Sequence, residues 1–409
     1  MPVRKVLQLL ESWKSGPLSD RRDSKNVDYI RQIITNDSLY DVQNKERDHD
    51  LHGWLNAEVN MNAPTSSGRR WSVFSKPFTS TNRKRSYKSL DELEVPQIAV
   101  DYLEKVSDND WDVFHMHIIT DGHSLYYTCL YLLDKHDLIN KLRLPVCSVK
   151  FFLRKVESLY RETNPYHNSI HACDVLQTVN LFIEKSERSC HMTDLDRLVL
   201  LIAACVHDID HPGVNNNYER LRESDRALLY NDQSILENYH CSQTFMILKT
   251  ANCNILEAFS REDKQYFRDS LINLVLATDI SKHFAIVGTL QNTILSHFDP
   301  TNKDHIGSMM KMFLKCADVG NPAKDLPLAK IWAERVTQEF YLQGDLEKEH
   351  GLTVSSFMDR TKPNLAKSQT GFINYIAKPL FDCLAEFDSN LQFCLDNVCG
   401  NLMYWDSQQ

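Results

Sequence analysis

From about Leu90 to the end of the chain, apolar residues return every three or four positions, and strict alternation is scarce. That spacing belongs to helices with one buried face, not to strands. Val149–Tyr160, Leu195–Val206, Leu271–Leu276 and Ile331–Leu342 carry it most clearly, with Asp, Asn and Pro punctuating their ends. The pattern predicts an all-α, compact multi-helix domain over residues 91–409, with about fifteen helices and a site assembled from distant segments. No repeat of fixed period and no low-complexity tract interrupts it.

Residues 1–90 have a different texture. Two short helical patterns, around Val6, Leu9, Leu10 and Trp13 and around Tyr29, Ile30, Ile33 and Ile34, are followed by polar stretches such as Asn62–Gly68. The composition is that of a linker, and the segment is expected to be partly disordered. It holds sixteen Lys/Arg against ten Asp/Glu, whereas the other 319 residues hold thirty against forty-five. Three basic clusters precede a serine: Arg21-Arg22-Asp23-Ser24, Arg69-Arg70-Trp71-Ser72 and Lys84-Arg85-Ser86. One reading is a solvated basic arm. The other is a regulatory arm phosphorylated by a basophilic kinase at Ser24, Ser72 or Ser86, each phosphate adding about −2 charge.

The net charge of −9 argues against nonspecific nucleic-acid binding. No apolar run approaches a membrane span, and the start Met1-Pro2-Val3-Arg4-Lys5 is not a secretory signal. Eleven cysteines occur without CxxC pairs, several inside apolar runs, which fits a reduced, cytoplasmic protein.

Four segments are rich in metal-ligating side chains. His167 and His171, followed by Asp174, are four apart and would share one face of a helix. His207-Asp208-Ile209-Asp210-His211 follows an apolar helix that Pro212-Gly213 is expected to stop. The third segment runs from Asn231-Asp232 through Glu237 to His240, and the fourth is Lys315-Cys316-Ala317-Asp318. Imidazole with carboxylate suits Zn²⁺, Fe²⁺ or Mn²⁺, and carboxylate with water suits Mg²⁺. Burying so many ionisable groups without a metal would be costly.

Tyr166-His167-Asn168-x-x-His171 followed by His207-Asp208-Ile209-Asp210-His211-Pro212-Gly213 resembles the signature of class I cyclic nucleotide phosphodiesterases, within the HD hydrolase superfamily. The likeness continues through Tyr230-Asn231-Asp232, Leu236-Glu237-Asn238, Ala277-Thr278-Asp279, Lys315-Cys316-Ala317-Asp318, Asn321-Pro322, Lys367-Ser368-Gln369 and Gly371-Phe372, over roughly residues 95–405. The resemblance implies that His171, His207, Asp208 and Asp318 ligate a tightly held Zn²⁺. Asp208 would bridge to a second metal, Mg²⁺ or Mn²⁺, whose waters are oriented by His211, Glu237 and Thr278. His167 is implied as the proton donor. Gln369 would face the purine, Phe372 and Val336 would clamp it, and Tyr166, Ile280 and Asn321 would line the pocket.

Such chemistry has a physical basis. Two metals about 3.5–4 Å apart neutralise the phosphate and make hydroxide available near neutral pH, and a cationic histidine protonates the leaving 3′ oxygen. Segments 229–232 and 276–283 are most similar to families 4, 7 and 8, which implies cAMP as substrate. Gln369 alone does not distinguish adenine from guanine. Gly320 departs from the family, in which a side-chain-bearing residue stands before Asn-Pro, and a looser loop there leaves dual cAMP/cGMP activity open. Another HD-type nucleotide phosphohydrolase is disfavoured by the Gln369/Phe372 segment, and a silent scaffold by the intact ligand set.

Overall fold

The computed structural model describes residues 93–295 and 298–409. The segment 1–90, its basic clusters, Ser24, Ser72 and Ser86, and the boundary before residue 91 lie outside the described residues. Among those described there are seventeen α-helices and no strand. They are α1 (Gln97–Leu103), α2 (Val113–Ile119), α3 (Ser124–Lys135), α4 (Leu138–Lys141), α5 (Val146–Leu159), α6 (Ser169–Lys185), α7 (Asp194–Val206), α8 (Asn216–Leu221) and α9 (Asp225–Leu229). The chain continues with α10 (Ile235–Lys249), α11 (Arg261–Val275), α12 (His283–Leu295), α13 (Lys303–Asp318), α14 (Leu326–Glu349), α15 (Leu365–Phe372), α16 (Lys378–Phe387) and α17 (Gln392–Asp406).

Helix α6 is the centre of the packing. It is buried on every face from Ser169 to Ile183 and lies against α3, α7 and α13. A helix that carries Ile170, Val175, Leu176, Val179 and Phe182 around its circumference is stable only inside other helices. Each large apolar side chain buried there contributes about 1.5–3 kcal/mol. The Asn168 side chain accepts hydrogen bonds from the N–H groups of Ile170 (2.9 Å) and His171 (3.3 Å), so the helix begins at Ser169. His167 therefore lies in the turn before α6, not on the helix face with His171 as the four-residue spacing suggested.

Helix α7 opens on a capping box in which Thr193 and Asp196 exchange hydrogen bonds. It ends at Val206, well before Pro212. The His207 imidazole takes the Ala204 carbonyl at 2.9 Å, and Asp210 turns the chain with a φ of 56°. The stop is thus made by the site residues themselves and not by Pro212-Gly213. Near the C-terminus, α15 passes into α16 through a π-helical turn, Ile373–Ala377. Pro379, with no N–H and a ring that crowds the preceding turn, accounts for the widening.

Helix α14 carries a glycine in its interior, Gly344, where glycine costs about 1 kcal/mol relative to alanine. A Cβ at Gly344 would overlap the Met358 carbonyl. Beside it, the buried Glu347 accepts from the Ser355 N–H and hydroxyl, both at 2.7 Å, clasping the 350–358 loop to the helix. Gly344→Ala is expected to lower stability by about 1–3 kcal/mol despite its better helix propensity, seen as a lower thermal midpoint.

All eleven cysteines are free, most of them buried. Among the described residues no single helix is long and apolar enough to cross a membrane.

Candidate active site

The first residues of α6, the turn after α7 and the end of α13 bring four ligand atoms together. His171 Nε2 and His207 Nε2 lie 3.3 Å apart. Asp318 Oδ1 is 3.4 Å from the first and 3.3 Å from the second, and Asp208 Oδ2 is 3.6 and 3.3 Å from the same two atoms. Such edges suit a ligand shell about 2.0–2.2 Å in radius, the distance at which imidazole and carboxylate hold a divalent metal. A carbonyl only accepts, so His207 Nδ1 donates to Ala204 O, and Nε2 is the nitrogen turned inward toward the other ligand atoms. Burial pushes the His207 imidazole toward its neutral form, but Asp208 and Asp318 outweigh it and hold the group well above its ordinary range. The cluster is built to receive positive charge.

A second group of ligand atoms surrounds the other oxygen of Asp208. His240 Nδ1 donates to Ile209 O at 2.6 Å, and its buried Nε2, with no hydrogen-bond partner, lies 3.8 Å from Asp208 Oδ1. Burial lowers the His240 pKa to about 4, so two acceptors face each other with no proton between them. Asp208, His211 and His240 converge closely enough to hold one ion. Two neighbouring clusters of imidazole and carboxylate ligands that share Asp208 thus fit divalent metal binding.

His167 stands at the edge of the ligand cluster, its Nε2 4.0 Å from Asp208 Oδ2. Its Nδ1 bonds to the buried Glu339 carboxylate, whose other oxygen accepts from the N–H groups of Tyr166 and His167, both at 3.0 Å. Burial favours neutral imidazole, yet the Glu339 charge and hydrogen bond prevail and raise the His167 pKa to about 9. Glu339 is held at about 2 because the His167 charge outweighs its own burial. The His211 ring stacks on His167 at 3.9 Å and is pushed well below the usual range, first by burial and then by the His167 charge. One of the stacked rings is charged and the other neutral. Asn164 ties the two segments, its amide nitrogen donating to the carbonyls of His167 (2.9 Å) and His211 (2.8 Å).

These groups form the floor of a cleft. Of the positions singled out in the sequence, Tyr166, His167, Asp208, His211, Glu237, Thr278, Ile280, Asp318, Val336 and Phe372 line it, with His171 and His207 buried beneath. Asn321 and Gln369 stop short of the lining. Asn321 instead donates to the Tyr166 hydroxyl at 2.5 Å, and Gln369 lies one turn before Phe372 on α15. Glu237 accepts from the Asn216 amide at 3.0–3.1 Å, and burial, then Asp279, raises its pKa to about 8. Thr278 donates its hydroxyl to Val275 O at 2.8 Å.

Gly320 is tightly packed, contrary to the looser loop expected of it. Its backbone is right-handed (φ −78°, ψ −4°), and a Cβ would meet the carbonyl oxygens of Cys316 and Ala317 at 2.7 and 2.8 Å. The glycine admits a close approach of backbone.

Glu339, Phe340 and Gln343 also belong to the cleft, and the sequence reading missed them. A signal was present. Trp332, Val336, Glu339, Gln343 and Glu347 follow one face of α14 at three- and four-residue steps, so polar residues occupy an apolar stripe.

The family described as 3′5′-cyclic nucleotide phosphodiesterase matches residues 166–398. A 3′,5′-cyclic-AMP phosphodiesterase 4 of Dictyostelium discoideum is 29% identical across the whole of this chain, which spans only 52% of that relative's length. A 3′,5′-cyclic-AMP phosphodiesterase 4C of Rattus norvegicus is 33% identical over 86% of this chain and 68% of its own. The crystal structure of the phosphodiesterase domain of a fusion protein from the choanoflagellate Salpingoeca rosetta superposes with a TM-score of 0.66 at 32% identity, over 69% of this chain and 90% of that one. The chain belongs to the 3′,5′-cyclic nucleotide phosphodiesterase family, and its helical fold is that family's catalytic fold.

Proposed function

We propose that this chain hydrolyses 3′,5′-cyclic AMP to 5′-AMP and so ends a cyclic-nucleotide signal in the cytoplasm. The observation that carries the reading is a histidine kept cationic by a buried glutamate at the edge of a four-ligand metal cluster. His171, His207, Asp208 and Asp318 would hold Zn²⁺, and Asp208 would share a Mg²⁺ or Mn²⁺ on the side of His240. Bound there, the two ions would neutralise the phosphate oxygens and lower the pKa of a water.

The remaining work falls to side chains of the chain itself. His167 gives its Nε2 proton to the departing 3′ oxygen, because an alkoxide leaves poorly unless protonated. Glu339 fixes the ring through Nδ1 and keeps it charged. His211, Glu237 and Thr278 would orient water around the second ion. Val336 and Phe372 would hold the purine between apolar faces, with Ile280 and Tyr166 around it, and Asn321 and Gln369, which stop short of the lining, would have to turn their amides toward its edge. Phosphorylation at Ser24, Ser72 or Ser86 would supply regulation by charge.

Hydrolysis of cAMP and of cGMP, measured side by side with and without added Mg²⁺, tests the reading. The expected result is metal-dependent release of 5′-AMP with a higher kcat/KM than for cGMP. Equal values would make the enzyme dual-specific, since an amide serves either purine by its rotamer. Phosphomonoester hydrolysis with no cyclic-nucleotide turnover would overturn it.

A further inference from the structure

A second pair of buried charges lies behind the cleft. Lys324, 3% exposed, ends the short turn between α13 and α14, and Asp174, 2% exposed, is on α6 one turn beyond His171. The Lys324 ammonium is 2.8 Å from Asp174 Oδ1 and 2.9 Å from Gln177 Oε1. Gln177 in turn donates to the carbonyls of Val106 (2.9 Å) and Asp108 (3.2 Å). On its opposite side the turn is held by α17, where Asn401 donates to the carbonyls of Pro322 and Lys324, both at 2.8 Å, and Asn397 to that of Ala323 at 3.0 Å.

Desolvating two charges costs several kcal/mol per ion, and an apolar pair of similar volume would join the elements as well. What the ion pair adds is a single position for the turn relative to α6. The turn begins with Asn321, whose amide holds the Tyr166 hydroxyl, and α6 carries His171. The Tyr166 ring lies 4.6 Å from that of His171, so the metal helix, the turn and Tyr166 form a closed circuit.

We infer that Lys324 and Asp174 are positioning residues that set Asn321 and Tyr166 at a fixed distance from the metal helix, so that the base is bound in register with the reacting phosphate. The inference rests on the proposed place of Asn321 beside the base.

Lys324→Met alone would leave Asp174 buried without its cation, a change large enough to unfold the chain. The informative variant is Asp174→Leu with Lys324→Met in the 409-residue protein, alone and combined with Asn321→Ala. The paired variant is expected to keep its unfolding temperature and its bound metal by elemental analysis. Its kcat should stay within about threefold while KM for cAMP rises about tenfold, the mark of lost uniform binding. In the Asn321→Ala background the same pair should add no more than about twofold, since both changes act through one contact. An unchanged KM in the paired variant, with a raised KM in Asn321→Ala, overturns the inference, as does loss of metal. If Asn321→Ala itself leaves KM unchanged, the place of Asn321 beside the base is wrong and the inference falls with it.

Discussion

Replacing Asp318 or Asp208 by alanine is expected to abolish hydrolysis and to strip the protein of its tightly bound transition metal. Asp318 Oδ1 sits 3.3–3.4 Å from both ligand histidines, and Asp208 offers one oxygen to that group and the other toward His240. Either change removes a negative ligand from beside two imidazole nitrogens that lie 3.3 Å apart. The lost charge stabilisation is several kcal/mol, about 10³-fold or more in rate. Asp208 is shared by both groups, so its loss should also remove the response to added Mg²⁺, whereas Asp318→Ala removes only the first ion directly. Elemental analysis separates the cases. A metal that stabilises the native state by binding should also raise the unfolding temperature of the parent protein, and chelation should reverse that rise fully in the parent, less in Asp318→Ala and not at all in Asp208→Ala. Metal-replete, active Asp318→Ala protein would end the two-ion reading.

Much of this was legible in the sequence, for identifiable reasons. The helices were, because α5, α7, α11 and α14 keep apolar residues at helical spacing over long windows. The ligand-rich segments were, because imidazoles and carboxylates crowd the ends of apolar helices, but the choice of His171, His207, Asp208 and Asp318 among them came from the family resemblance and from no local pattern. What failed were readings that treated a local pattern as sufficient. His167 and His171 are four apart, but the Asn168 cap starts the helix between them and leaves His167 in the turn before it. Pro212 looked like a helix stop, but His207 had already taken the Ala204 carbonyl. Gly320 suggested slack, and packing against two carbonyls gives the opposite. Glu339 was missed because its importance arises from a contact 172 residues away along the chain. No window of sequence contains that contact, although a carboxylate on the apolar stripe of α14 marked a buried charge in need of a partner.

His167→Asn is expected to lower kcat by about 10²–10⁴-fold, the scale on which a general acid contributes. KM should change little, because the proton moves mainly in the transition state. Bound metal should be retained, since His167 Nε2 lies 4.0 Å from Asp208 and outside the group formed by His171, His207, Asp208 and Asp318. Glu339→Gln should act in the same direction but more weakly, about 10–100-fold. It keeps a hydrogen-bonding group near Nδ1 while removing the charge that holds the imidazole protonated. The two changes combined should cost little more than His167→Asn alone, because Glu339 acts through His167. A substrate with a much better leaving group needs less protonation and should recover most of the lost rate in both variants. Loss of metal in His167→Asn would make that residue a ligand, and an equal loss on both substrates would make it a prop for the site. Full additivity of the two changes would detach Glu339 from the acid and give its carboxylate a separate task, holding the Tyr166 and His167 backbone in place.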